Sequence, residues 1–126
     1  MVKILYKLNA LRKASFQARV CAAVINKRGI VDVGFNSEKT HPKQKSLNGL
    51  KPYLHAEVEA ILRAGRVSNL DKCAIVVVRT KKSGPFGFDI PGASKPCDSC
   101  MKFIRMSGIR VVYYLDEEGV LQKLVF

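Results

Sequence analysis

Tryptophan is absent from this 126-residue chain, and only six phenylalanines and four tyrosines are present. That scarcity weighs against a surface of stacking platforms, the usual device for gripping single-stranded nucleic acid. No apolar run approaches the roughly 20 residues that a membrane span requires, so no membrane role is expected. The opening MVKILYKLNALRK lacks a long apolar leader and a small-residue cleavage site. The expectation is therefore a soluble, intracellular, cytoplasmic protein. Four cysteines in such a setting are not a disulfide framework, and a closely spaced pair reads as metal-binding or redox. Repeats, low-complexity tracts and Gly/Ser linkers are missing too, and the length fits one domain over residues 1–126.

What is present is apolar and basic. Hydrophobic residues make up 48% of the chain, enough to bury a real core. Acids are few: 10 against 22 lysines and arginines, for a net charge of +12. The excess is uneven, since residues 1–51 hold eleven basic residues against two acids, a net of +9. A basic surface favours an anionic partner, either nucleic acid or the phosphate of a nucleotide, and equally serves plain solubility. It carries no information about catalysis.

Periodicity predicts the elements. Residues 4–18 place Ile4, Leu5, Leu8, Leu11 and Phe16 at roughly helical spacing. ARVCAAVIN reads as a buried strand and IVDVGF as a half-buried one, joined at Lys27-Arg28-Gly29 into a hairpin over about 19–36. Residues 37–53 and 81–95, polar and punctuated by Pro and Gly, read as long loops. Leu54, Val58, Ile61 and Leu62 mark a helix over about 55–65, with Gly65 as its cap. CAIVVVRT at 73–80 suits a strand covered on both faces. A second internal helix is expected over about 97–107, ending at Gly108, then a strand over 110–115, a turn at Asp116–Gly119 and a last strand or short helix. Alternating helices and strands predict an α/β fold, a three-layer α/β/α sandwich around a mixed sheet of about five strands.

Two clusters carry chemistry: His55-Ala56-Glu57 and Pro96-Cys97-Asp98-Ser99-Cys100, each at an expected helix start. Two cysteines three residues apart at a helix N-terminus can converge on one metal, and the helix end favours thiolate. His55 supplies a third donor, which leaves a fourth position for water, the pattern of catalytic rather than structural zinc. Water there ionises near neutral pH and becomes a hydroxide nucleophile. Glu57, kept off the metal, is then the natural proton shuttle. Positions i and i+2 lie on nearly opposite faces of a helix, so His55 and Glu57 can share a site only beyond the helix end. A redox CxxC would need neither His55 nor Glu57, and a structural site would need a fourth ligand. His41 is the remaining histidine, while Cys21 and Cys73 sit in apolar runs and read as buried thiols. Pro96 shapes the entry to the helix without the loss of a needed N–H. Glu59 and Asp98 are expected on solvated helix faces, Asp98 in a favourable first-turn position.

H-x-E followed by P-C-x-x-C is the signature of zinc nucleobase deaminases. HAEVEAI and SKPCDSCMKFIRMSGIRVVYY resemble the cytidine and deoxycytidylate deaminase superfamily over about residues 19–115. The stretch GFNSEKTHP is similar to small deoxycytidylate-deaminase-like proteins of phages. The resemblance implies zinc on His55, Cys97 and Cys100, Glu57 as the shuttle, Asn36 at the sugar and the Ala56 N–H at the base. It also implies hydrolytic deamination of cytosine in a nucleoside or nucleotide, deoxycytidylate first, by a homo-oligomer. The sequence departs from typical deoxycytidylate deaminases in being shorter, and no separate allosteric segment is recognisable. Its 81–95 loop is long and basic, and leaves the size of the substrate open. The alternative is a base in a polynucleotide: cytosine in single-stranded DNA or RNA, or adenosine in tRNA. Phe86 and Phe88 would then stack on bases. Lys39, Lys43, Lys45 and Lys51, with Lys81, Lys82 and Lys95, serve as a phosphate clamp or as scattered surface charge.

Overall fold

The computed structural model describes residues 2–11, 18–36, 55–83 and 88–126, with backbone alone for 9–11, 18, 81–83 and 88–90. The elements in chain order are α1 (Val2–Leu11), β1 (Ala18–Asn26), β2 (Gly29–Phe35), α2 (Ala56–Ala64), β3 (Ala74–Ser83), β4 (Phe88–Gly92), α3 (Asp98–Met106), β5 (Val111–Leu115) and β6 (Leu121–Val125), with a short 3-10 turn at Leu70–Lys72.

The six strands form one mixed sheet in the order β2-β1-β3-β5-β6, with β4 also paired to β3. Among the described residues β3 and β5 run parallel, and the other pairs are antiparallel. The β1–β2 hairpin turns where expected: Gly29 takes φ +122°, and the Asn26 side chain accepts a hydrogen bond from the Arg28 N–H at 2.8 Å. The final segment is a strand. It follows a turn in which Gly119 takes φ +80° and the Asp116 carboxylate accepts from the Glu118 and Val120 N–H groups.

The apolar run of β3 is covered on both faces, as its lack of polar alternation requires. Ile75 and Val77 join Ala22, Val24, Val112 and Ile104 beneath α2 and α3. Val76 and Val78 join Cys21, Ala23 and Leu5 beneath α1. Three layers result. Leu5 is fully buried and anchors α1, whereas Ile4 and Leu8, expected on the same apolar stripe, face outward. Full burial of one leucine contributes about 1.5–3 kcal/mol, enough for a single side chain to dock a short helix.

Two differences from the expected architecture stand out. Residues 81–95 are not all loop: β3 continues to Ser83, and β4 pairs back along Arg79–Ser83. This adds the sixth strand. It accommodates Pro91 because β4 pairs only with β3 among the described residues, as an edge strand, where a missing N–H is tolerated. Gly65 follows α2 but keeps right-handed φ and ψ, so it is not a left-handed cap.

Helix α2 lies unusually close to β2. A Cβ on Gly34 would clash with the Ala60 nitrogen and sit 2.5 Å from the Ala56 carbonyl oxygen. Only glycine permits that approach. Glu59 helps hold it: its carboxylate accepts from the Phe35 N–H at 3.4 Å and pairs with Arg63, which also donates to the Val33 carbonyl. Glu59 is thus a half-buried latch between helix and sheet, not the solvated residue expected.

Candidate active site

The N-termini of α2 and α3 meet on one face of the sheet. His55 is the N-cap of α2, with extended backbone (φ −84°, ψ 142°), and its side chain does not cap the helix. It turns to α3 instead, where its Nδ1 lies 3.3 Å from the Cys100 Sγ. Cys97 is the N-cap of α3, and its sulfur accepts from the Cys100 N–H at 3.4 Å. The helical rise then returns Cys100 to the same end of the helix, fully buried.

One donor atom each from His55, Cys97 and Cys100 lies within 4.8 Å of the others. Zinc bonds of ~2.3 Å to sulfur and ~2.0 Å to nitrogen place neighbouring tetrahedral donors roughly 3.5–4 Å apart. The cluster has that scale and the imidazole–thiol chemistry zinc prefers, so the residues present form a possible metal site. Among the described residues the set stops at three donors.

Glu57 is the second residue of α2, buried, with its carboxyl hydrogen-bonded to the Cys100 thiol. His55 and Glu57 therefore reach one site from i and i+2 because His55 stands outside the helix. Burial pushes the Glu57 carboxyl above the usual carboxylate range, opposed by hydrogen bonds from its own N–H and from Cys100. Burial also pushes the Cys100 thiol far up, with the neighbouring Glu57 and Cys97 charges adding to the effect. A zinc ion held by His55, Cys97 and Cys100 would favour the thiolate form of both cysteines.

The remaining expected site residues divide. Ala56 is buried as the first residue of α2, where a backbone N–H has no intrahelical partner. Asn36 is buried just past β2; its Oδ1 accepts from the Val20 N–H at 3.0 Å and its own N–H donates to the Val20 carbonyl at 3.2 Å. Pro96 is buried and Lys95 exposed immediately before Cys97. Phe88 opens β4, with its side chain undescribed, and Lys81 and Lys82 lie in β3 likewise. Phe86, His41, Lys39, Lys43, Lys45 and Lys51 lie outside the described residues. Cys21 and Cys73 are buried thiols, as expected.

Sequence reasoning overlooked Ser94, which is buried and joins β3 to β5 three residues before Cys97. Nothing in a lone serine within a Gly/Pro-rich stretch signals this. A surface cavity of about 380 Å³ lies beside the same connector, lined by Arg79, Pro91, Ala93, Asp116 and Glu117 among others. Two carboxylates against one guanidinium make it a poor host for a phosphate.

An α/β/α sandwich thus gathers an imidazole, two thiols and a carboxyl at two helix starts, a possible metal site. The chain belongs to the cytidine and deoxycytidylate deaminase zinc-binding family, whose model matches residues 1–116. A cytidine deaminase from Burkholderia pseudomallei has a similar fold, with a TM-score of 0.65 at 19% identity, over 98% of this chain and 88% of that one. Among curated proteins none matches the sequence significantly. No described helix is long and apolar enough to cross a membrane.

Proposed function

We propose that the protein hydrolyses the exocyclic amine of cytosine in a nucleoside or nucleotide, of deoxycytidylate type, with zinc on His55, Cys97 and Cys100 and Glu57 as proton shuttle. The observation that carries this reading is the buried Glu57 carboxyl beside, but outside, a three-donor set. Three protein donors suit a catalytic zinc, and a carboxyl has no task in a purely structural one.

Zinc, when bound, polarises a water molecule and brings its ionisation towards neutral pH. The remaining steps belong to the protein. Glu57 would take a proton from the attacking water as a bond forms to the amine-bearing carbon, and would place that proton on the ring nitrogen. It then carries the water's second proton to the departing amine, so ammonia leaves and a carbonyl remains. Burial, which raises the Glu57 carboxyl, makes it a stronger base towards water and a competent acid towards the amine. In this reading the Ala56 N–H serves the base and Asn36, whose Oδ1 accepts from the Val20 N–H, serves the sugar. Lys95 is the exposed cation nearest the PCxxC segment in sequence and suits a phosphate. Phe86 and Phe88 complete the contacts proposed on sequence grounds, and a homo-oligomer is part of the same reading.

The net charge of +12 favours a second reading, a polynucleotide substrate. Ammonia release by the zinc-loaded protein separates the two. Cytidine, deoxycytidine, deoxycytidylate, deoxycytidine triphosphate, a cytosine-bearing single strand and an adenosine-bearing tRNA are offered in parallel. Turnover of a free nucleoside or nucleotide supports the first reading. Turnover of a strand or tRNA alone supports the second, and turnover of none contradicts both.

A further inference from the structure

Strand β3 shares one of its edges between two partners. Strand β5 pairs with Ala74–Val76, and β4 pairs with Arg79–Ser83. Between them, at Val77 and Val78, neither strand pairs, and a notch opens in the sheet. Ser94 fills it. Its hydroxyl donates to the Val77 carbonyl at 2.7 Å and accepts from the Leu115 N–H at 2.8 Å, and its own N–H donates to the Leu115 carbonyl at 2.9 Å. One residue outside any strand thus joins the interior of β3 to the end of β5. Ser94 is 5% exposed, so no solvent substitutes for these bonds.

The notch is also where the chain leaves the sheet for the metal-site helix. Only Lys95 and Pro96 separate Ser94 from Cys97. Pro96 is buried, and its ring fixes φ, which leaves little slack in the connector. From its other side α3 is held by Ile104 in the core. The Cys97 sulfur is therefore located by two anchors, and Ser94 is the nearer.

We propose that Ser94 is a positioning residue of the candidate metal centre: its hydroxyl pins the connector in the notch and so sets where Cys97 stands relative to His55 and Cys100. This rests on the reading that those three residues hold zinc. Removal of the hydroxyl leaves the Val77 carbonyl and the Leu115 N–H buried without that partner, and the connector must shift or admit water to satisfy them.

Zinc affinity, read by competition with a chromophoric chelator, and the thiolate–cobalt absorption of the cobalt-substituted protein test this. Ser94→Ala should bind zinc at least about ten-fold more weakly, the scale set by outer-shell partners of metal ligands, and should shift the cobalt spectrum. Ser94→Thr, which keeps the hydroxyl, should retain both. Leu5→Ala, in the core on the opposite face of the sheet, should lower the melting temperature without changing zinc affinity. A Ser94→Ala protein with wild-type affinity and spectrum would overturn the proposal, as would Ser94→Thr binding as weakly as Ser94→Ala. Amide hydrogen exchange in the unmodified protein needs no variant: zinc should increase protection at the Ser94 and Leu115 amides, because coupling is reciprocal. Unchanged protection there would count against the pin. Failure of the wild-type protein to bind zinc at all would instead remove the metal-centre reading on which this rests.

Discussion

His55 Nδ1 lies 3.3 Å from Cys100 Sγ across a separation of 45 residues. That contact exists because each helix starts at its donor: His55 caps α2, and Cys97 and Cys100 occupy the first turn of α3.

Metal protection of thiols follows. Cys97 is exposed, whereas Cys21, Cys73 and Cys100 are buried. In the zinc-loaded protein Cys97 should resist an alkylating reagent, and chelation should expose it to rapid modification while Cys21 and Cys73 stay unmodified. Peptide mass spectrometry reads the result site by site. Equal Cys97 reactivity with and without chelator would contradict the proposed ligand set.

The pH dependence of the metal-free protein has a definite sign. Burial raises the Glu57 carboxyl above its unfolded value, so the folded state binds more protons between those two values. Stability therefore falls as pH rises through that window and is greatest below the unfolded pKa. Glu57→Gln should flatten this slope and raise the stability of the metal-free protein at neutral pH. Denaturant unfolding at a series of pH values, with chelator present, measures both.

Gly34→Ala should be costly for a change of one methyl group. The added carbon would meet backbone atoms of Ala56 and Ala60, which cannot rotate away. Overpacking of this kind costs about 1–3 kcal/mol, and this case belongs at the upper end. Since His55 caps α2 and Glu57 lies in its first turn, zinc affinity should fall together with the melting temperature. A melting temperature unchanged within a degree would show that α2 does not approach β2 so closely.

Much of this was legible in the sequence, for identifiable reasons. The apolar run of β3, the Gly29 turn and the two helix starts with their donors all express local rules: alternation, positive φ and capping positions. The site was readable because its residues lie in two short motifs. What escaped depends on partners distant in sequence. β4 looks like loop because Pro91 and Gly92 break strand composition, yet pairing with β3 overrides this at an edge. Gly34 and Ser94 carry no periodic signal; the close approach of α2 makes one necessary, and the notch between β4 and β5 the other. The outward-facing Ile4 and Leu8 show that an apolar stripe does not by itself specify which positions the sheet covers.

The most direct test of the central claim compares ammonia release and zinc content in the wild-type protein and Glu57→Gln, on whichever substrate the wild type turns over. One zinc per chain is expected in both, with turnover lowered about 10²–10⁴-fold in the variant, the range for loss of a general acid–base group. Full zinc with undiminished turnover in Glu57→Gln would contradict it, because the proton would then travel by a route that does not pass through Glu57.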